Sequence, residues 1–472
     1  MSTLASRPAI LAALALGACA TVPGAHLAAP KPASAYRADQ TFTAPEVSWP
    51  GDGWWRAYGD PQLDALVDEG LAGSPDIAAA RARLDKAGAM AGEARAALLP
   101  SLQGQGQVAE AKQSYNTGIP PAFVPHGWQS IGEVTLNFNW ELDFWGKNRK
   151  ALAAAVSESK ASEADLAEAR LVLSTAIAGA YADLARLSAE RDVALRAVQS
   201  RQETLDLVQR RVTNGLDTRG ELSEAEAGPA SARADLAAID ENIAITRDEI
   251  AALMGEGPDR GAAIERPKDA SLKSFGLPPR LAADLLGRRP DLAAARWRAE
   301  AAASRIGVAK AQFYPDVNLA AFIGYQSLGI SNLFLSGSGV GQAGPAVTLS
   351  IFEGGRLRAN LKGARADYET AVASYDETLT QALRDVADAA ASERALGDRL
   401  KQSADALAAD EDAYRIARLR YEGGLSNYQS VLLAEDAVLT SRRTVVDLQA
   451  RAFTLDVQLV RALGGGYQTS VN

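Results

Sequence analysis

One long pattern is written twice in this chain, first from the region of Asp60 to Met254 and again from Leu277 to Leu463. Ser74-Pro75-Asp76-Ile77-Ala78-Ala79-Ala80-Arg81 returns as Arg289-Pro290-Asp291-Leu292-Ala293-Ala294-Ala295-Arg296, and Ala96 to Pro100 returns as Ala311 to Pro315. Arg211 to Leu216 returns as Arg420 to Leu425, and Ala225-Glu226 as Ala434-Glu435. Solenoid units are far shorter, so the duplication calls for two copies of one large supersecondary unit rather than an array.

Each copy reads as a helix, two strands and two very long helices. Pro75 to Leu99 is an Ala-rich helical pattern that stops at Pro100, which cannot continue the hydrogen-bond ladder. Val134 to Leu142 alternates apolar and polar residues without a slip, the period of a two-faced sheet, and Val347 to Ile351 keeps the same phase. Gly146 and Gly354-Gly355 mark the change from strand to helix. The expected strands cover about 101–109 and 131–144 in the first copy and about 316–326 and 344–353 in the second.

From Lys147 to Val212 there is no proline, so one helix of about 66 residues would be roughly 100 Å long. Leu184, Val198, Leu205 and Val212 fall at multiples of seven, as do Leu400, Leu407, Tyr414 and Tyr421 on the matching helix, which is the seam of a coiled coil. Long helices are expected over about 147–212, 219–254, 356–421 and 428–463. Their turns, Asn214-Gly215 and Gly423-Gly424, should lie side by side. A cytosolic coiled-coil scaffold has no use for strands inserted at matching points of such a unit. Four strands alone leave two open edges, so closure into a barrel needs strands from other chains.

Residues 1–18 have the layout of a secretory signal peptide: Arg7, an apolar stretch from Ala9 to Leu16, then small residues. Leu16-Gly17-Ala18-Cys19 is similar to a bacterial lipobox, which makes Cys19, the only cysteine, an acylated N-terminus. Ala20 is not the acidic residue that would retain a lipoprotein in the inner membrane, which points to the outer membrane. Residues 19–50 read as a Pro- and Ala-rich tether, 51–270 as the first structural repeat and 271–472 as the second. No mature segment suits a transmembrane helix, so a membrane crossing would have to be a closed sheet. In such a sheet Val134, Leu136, Phe138, Trp140 and Leu142 would face lipid, and Thr135, Asn137, Asn139 and Glu141 a wet lumen.

Trp54-Trp55 ahead of Asp60-Pro61-Gln62-Leu63, the Pro-Asp-(Ile/Leu)-Ala-Ala-Ala-Arg repeat, the Gly-Leu tips, the lipobox and the tether together resemble the TolC-type outer membrane factors, and among them the acylated NodT-like branch. The likeness covers nearly all of the mature chain. It implies a mainly α fold with a membrane β-barrel. In it a homotrimer gives four strands per chain to one twelve-stranded barrel, continued by a periplasmic α-helical barrel with an equatorial domain. It also implies partners, a periplasmic adaptor and an inner-membrane transporter of the resistance-nodulation-division class, with outer membrane lipid around the barrel. The function so implied is the exit duct of a tripartite efflux pump, with a type I protein-secretion duct as the alternative. Gly215-Leu216 and Gly424-Leu425 are similar to the tips that dock the adaptor, an exposed leucine filling an apolar hole. Aligned on the tip glycine, Glu221 and Tyr421 stand where the family carries a periplasmic gate pair. Ser426, Ser430 and Leu433 depart from the family's remaining gate residues, an arginine and two acids.

Chemistry beyond the covalent lipid on Cys19 is sparse. His26 and His126 are the only histidines, no acid or histidine cluster has metal-ligand spacing, and no cofactor or metal is expected. A net charge of −9 argues against nucleic acid. Gly339-Val340-Gly341-Gln342-Ala343-Gly344 satisfies G-x-G-x-x-G, but Pro345 and an alternating segment follow where a helix is needed, so a flexible loop is expected there. In the matching first-copy loop the rings of Phe123 and Trp128 are expected to pack rather than stand exposed. Gly228-Pro229 should make the first return helix the more deformable, since the matching Ala437-Val438 carries no break. A periplasmic adaptor, the rival reading, would have a single hairpin between lipoyl-like and β-barrel segments.

Overall fold

The computed structural model describes residues 29–32, 35–36, 41–116, 118–268, 276–278, 281 and 285–468. The expected signal peptide, Cys19 and His26 lie outside the described residues. The first copy runs α1 (Pro61–Gly73), α2 (Pro75–Ala96), β1 (Ser101–Ala111), β2 (Gln129–Glu141), α3 (Lys147–Thr213) and α4 (Arg219–Met254), followed by the short α5 (Pro258–Ala262). The second runs α6 (Pro290–Ala311), β3 (Asp316–Leu328), β4 (Gly339–Thr348), α7 (Arg356–Glu422) and α8 (Tyr428–Ala462). The duplication extends to length: α2 and α6 have 22 residues each, and α3 and α7 have 67 each. No helix among the described residues is long and apolar enough to cross a membrane.

Contacts divide the chain differently from the repeats. One unit holds residues 84–162 and 295–375, the other 31–83, 163–294 and 376–472. Each copy therefore contributes strands to the first unit and a helical hairpin to the second.

In the sheet unit the four strands form one antiparallel sheet in the order β1-β2-β3-β4. The register sets Gly104 opposite Leu136, Leu136 opposite Ile323, and Ile323 opposite Gly341. Gly324 sits opposite Thr135, and a Cβ there would come within 2.1 Å of the Val134 carbonyl oxygen, so only glycine fits. At the strand ends the Trp140 indole N–H donates to the Leu98 carbonyl at 3.0 Å, and Trp145 stacks on Tyr314 at 4.7 Å. Lys147 pairs with Glu141 at 2.6 Å and Asp316 at 3.3 Å, fixing the start of α3 against two strands.

Two sequence expectations change here. The segment Gly339–Gly344 is not a loop but the first part of β4, where its small residues lie flat against β3 and Gly341 passes close to the Phe322 carbonyl oxygen. Phe123 and Trp128 do not pack: they are 80% and 69% exposed. The turn at Pro121–Phe123 buries Val124 instead, and Tyr115 takes His126 as its ring partner.

The helical unit has its main core around the middle of α3. Leu63, Leu66 and Val67 of α1 pack with Ile177, Tyr181 and Leu184 of α3, Ile250 and Met254 of α4, and Trp54, Trp55 and Tyr58 of a 3₁₀ turn. Asp60 caps α1 by accepting from the Gln62 N–H at 2.9 Å, and its other oxygen accepts from the Tyr181 hydroxyl at 2.5 Å. The motif Asp60-Pro61-Gln62-Leu63 is thus a helix start locked onto the long helix.

Candidate functional site

The alternation of β2 extends to all four strands. Because cross-strand partners share a face, Leu102 and Val108, then Val134, Leu136, Phe138 and Trp140, then Leu319, Ala321, Ile323 and Tyr325, then Ala343, Pro345 and Val347 line one side. On that side the one charged side chain is Glu110, near the end of β1 opposite Ser130, and there is no amide. The other bears Gln103, Gln105, Gln107, Thr135, Asn137, Asn139, Asn318, Gln326 and Gln342, with Ile131, Phe322, Leu328 and Val340 as apolar exceptions. Leu102, Leu136, Ile323 and Val347 are each at least half exposed, which a water-facing sheet would not tolerate over such an area. Leu142 lies just past β2 and extends its ladder, donating to the Val317 carbonyl at 2.8 Å.

The two hairpin tips lie together in the helical unit. In the first, α3 ends through Gly215 at φ 70°, and the Leu216 N–H reaches back to the Arg211 carbonyl at 2.9 Å. In the second, Gly424 at φ 70° and the bond from Leu425 to the Arg420 carbonyl at 2.7 Å repeat this closure. Each closure presses its leucine outward: Leu216 is 63% and Leu425 73% exposed. The return helices start on different caps. Thr218 and Glu221 form a capping box on α4, whereas Asn427 alone caps α8.

Between the tips lies a small apolar cluster of Val208, Ala225, Tyr421, Tyr428 and Val431. Arg211 holds it shut, forking onto Asp217 at 2.9 and 3.2 Å, donating to the Tyr421 carbonyl at 2.9 Å and lying 4.4 Å from the Tyr421 ring centre. The Tyr421 hydroxyl donates to Asp217. Burial alone would raise the Asp217 carboxyl, but the hydrogen bonds from Arg211 and Tyr421 and the Arg211 charge hold it below the usual carboxylate range. Burial and the same bond to Asp217 push the Tyr421 hydroxyl well up, so it stays a donor at neutral pH.

The expected gate pair is not brought together by a hydrogen bond. The Glu221 carboxylate accepts from the Thr218 N–H at 2.7 Å and the Thr218 hydroxyl at 3.0 Å, while Tyr421 turns to Asp217, one helical turn earlier in the chain. Glu221 occupies the third helical position, where the capping box claims a glutamate; Asp217 precedes the cap and is free to reach across. Of the departures, Ser426 has a buried hydroxyl without a hydrogen-bond partner, Ser430 bonds to the Asn427 cap, and Leu433 is exposed.

Sequence reasoning missed a second polar feature. Glu435 is 3% exposed and one carboxylate oxygen has no partner, while its repeat counterpart Glu226 is exposed. Burial raises the Glu435 carboxyl above the usual range, against the opposing effects of a Ser200 hydrogen bond and the Arg201 charge. Gly228 also has a use beyond weakening its helix. A Cβ there would meet Arg201 at 3.3 Å, and Arg201 passes on to pair with Asp436. α4 keeps its helical assignment through Pro229.

An open-edged sheet with one apolar and one polar face, and paired long-helix hairpins with latched tips, define the class: a channel protein of the outer-membrane type. The model of the outer membrane efflux protein family matches residues 66–256 and 281–465, and the chain belongs to that family. It is similar to the fusaric acid resistance protein FusA of Burkholderia cepacia, 35% identical over 90% of this chain and 81% of FusA. It is also similar to the multidrug resistance outer membrane protein MdtP of Escherichia coli K12, 31% identical over 93% of this chain and 91% of MdtP. Among solved structures, the outer membrane protein VceC of Vibrio cholerae is 46% identical with a TM-score of 0.84, covering 89% of this chain and all of VceC. The outer-membrane channel OprN is 27% identical with a TM-score of 0.83, covering 94% of this chain and 97% of OprN. The chain is thus an outer membrane efflux channel.

Proposed function

We propose that three copies of this chain close one twelve-stranded barrel and form the exit duct of a tripartite efflux pump. The observation that carries the reading is the sheet: β1 and β4 are unpaired edges, and an apolar face runs across the middle of all four strands. In this reading Val134, Leu136, Phe138, Trp140 and Leu142 face lipid, and Gln105, Asn137 and Gln342 line the wet lumen. The outward leucines of the tips, Leu216 and Leu425, dock a periplasmic adaptor coupled to an inner-membrane transporter. The cluster of Arg211, Asp217 and Tyr421 latches the periplasmic end, and Glu221 serves it by fixing the start of α4. Cys19 carries a lipid. The chain conducts passively and performs no catalysis. The names of FusA and MdtP favour small-molecule efflux over protein secretion.

Cross-linking tests the barrel. With Cys19→Ser as background, Gln105→Cys on β1 is paired in turn with cysteines at the polar-face positions Gln342, Gly344 and Ala346 of β4. One of these pairs should form an intermolecular disulfide that gives a covalent trimer, and failure of all of them in folded protein would overturn the shared barrel. Loss of radiolabelled palmitate on Cys19→Ser alone checks the lipid.

A further inference from the structure

The connection between β3 and β4, residues 329–338, folds back onto the sheet instead of standing off its end. Leu333 is buried against β2, where a Cβ added at Gly132 would meet its two methyl groups at 3.3 Å. The Phe334 ring packs edge-on against Tyr325 of β3, with centres 5.6 Å apart. Gly132 and Tyr325 both belong to the apolar face, since Gly132 pairs with Val108 and Tyr325 with Val134. The loop therefore lies on the same side of the sheet as Leu136 and Ile323. It is fastened there: the Gly329 N–H donates to the Ser130 carbonyl at 2.6 Å, the Ile330 N–H to the Ser130 hydroxyl at 3.2 Å, and the Ser338 hydroxyl to the Asn332 carbonyl at 2.8 Å. On this support Phe334 and Leu335 still stand 72% and 58% exposed.

We propose that this loop is seated in the lipid of the outer leaflet, where acyl chains meet headgroups, and not in the water above the barrel. The proposal rests on the reading that the apolar face of the sheet meets lipid, and it extends that face beyond the strands. α3 and α7 start from the opposite ends of β2 and β4, which leaves the loop at the outer end of the sheet. No residue from Gly329 to Ser338 is charged, whereas the matching first-copy connection, residues 112–128, carries Lys112 and His126. The backbone is prepared for a medium poor in water. The N–H groups of Gly329, Ile330, Asn332, Leu333, Leu335 and Ser338 are all bonded within the loop or to Ser130, which lowers the cost of taking irregular backbone out of water. A second copy does not account for the exposed pair, because the loop rests on the inner strands β2 and β3 while the unpaired edges are β1 and β4. Lipid is the occupant continuous with the apolar face, and an aromatic ring at this depth anchors the barrel against vertical displacement.

Nitroxide labels test the depth of the loop. In a Cys19→Ser background, Phe334→Cys, Leu335→Cys, Ile323→Cys on the apolar face and Gln342→Cys on the polar face are labelled one at a time in the full-length protein. Each is reconstituted in palmitoyl-oleoyl phosphatidylcholine nanodiscs, and collision with oxygen, which concentrates in lipid, is compared with collision with a water-soluble nickel chelate. The oxygen-to-nickel ratio at Phe334→Cys and Leu335→Cys should be at least about tenfold above that at Gln342→Cys and close to that at Ile323→Cys. Free nickel access at both loop positions beside a shielded label at Ile323→Cys would overturn the proposal and leave the lipid-facing strands intact. Nickel access at Ile323→Cys as well would overturn the proposal together with the reading on which it rests.

Discussion

At the first hairpin tip Arg211 and Asp217 tie the turn to its neighbour and Thr218 caps the return helix, whereas the matching residues of the second tip are Arg420, Ser426 and Asn427. Asp217 receives three side-chain hydrogen bonds from Arg211 and Tyr421, but Ser426 receives none and its hydroxyl is buried without a partner. The second tip contributes Tyr421, whose first-copy counterpart is Val212, so the latch is made of two different halves. The return helices differ in a complementary way. α4 buries Gly228 and Pro229 and exposes Glu226; α8 buries Val438 and Glu435. Duplication supplied two equal hairpins, and divergence gave one the ionic partner and the other the aromatic one. In the proposed duct, losing either half should open the latch.

The largest effect to expect is at the ion pair. The side chains of Arg211 and Asp217 are only 12% and 5% exposed. Removing one partner of a buried pair costs about 3 to 5 kcal/mol, so Asp217→Ala should sharply raise hydrogen exchange at both tips, while Ser426→Ala should change little. Equal effects from the two would erase the distinction between the tips.

The caps come next. Thr218→Ala and Asn427→Ala should each destabilise their own helix start by about 1 kcal/mol, seen as faster exchange in the first turn of α4 or α8. Thr218→Ala should have the larger effect, because it also releases Glu221. Pro229→Ala restores a backbone donor and should slow exchange around it to the level of the matching part of α8. No change on Pro229→Ala would remove the predicted difference in stiffness.

The smallest expected effect is in pH dependence, where the two acids act with opposite sign. The folded-state pKa of Asp217 is depressed, so its stabilisation is present above the ordinary aspartate range and is lost as pH falls through its lower folded value. Glu435 is raised, so its contribution is greatest below the ordinary glutamate range and fades as pH rises toward its folded value. Glu435→Gln should flatten the loss of α8 protection on the alkaline side, and Asp217→Asn the loss of tip protection on the acid side.

How far the sequence disclosed this molecule depends on the range of the interactions. The four long helices follow from proline-free heptads and glycine turns, local signals that survive into the structure within a residue or so. The sheet faces were legible from Val134 onward in β2, where the alternation is pure. β4 was displaced because glycine and alanine make up most of its first half, with too little hydrophobic contrast to show a period. Tyr421 bonds to Asp217 rather than to the expected Glu221, since alignment on a glycine cannot tell a capping glutamate from a bridging aspartate. The Tyr58–Asp456 hydrogen bond gave no signal: the two residues are separated by 398 positions, and only the folded chain brings them together.

Single-channel conductance in planar bilayers tests the central claim most directly, comparing the wild-type protein with an Asp217→Ala, Tyr421→Phe double variant and with Glu221→Ala. The account predicts small discrete steps from the wild type, markedly larger ones from the double variant and a lesser change from Glu221→Ala. Steps of equal size in all three proteins, or none from a folded assembly, would contradict it.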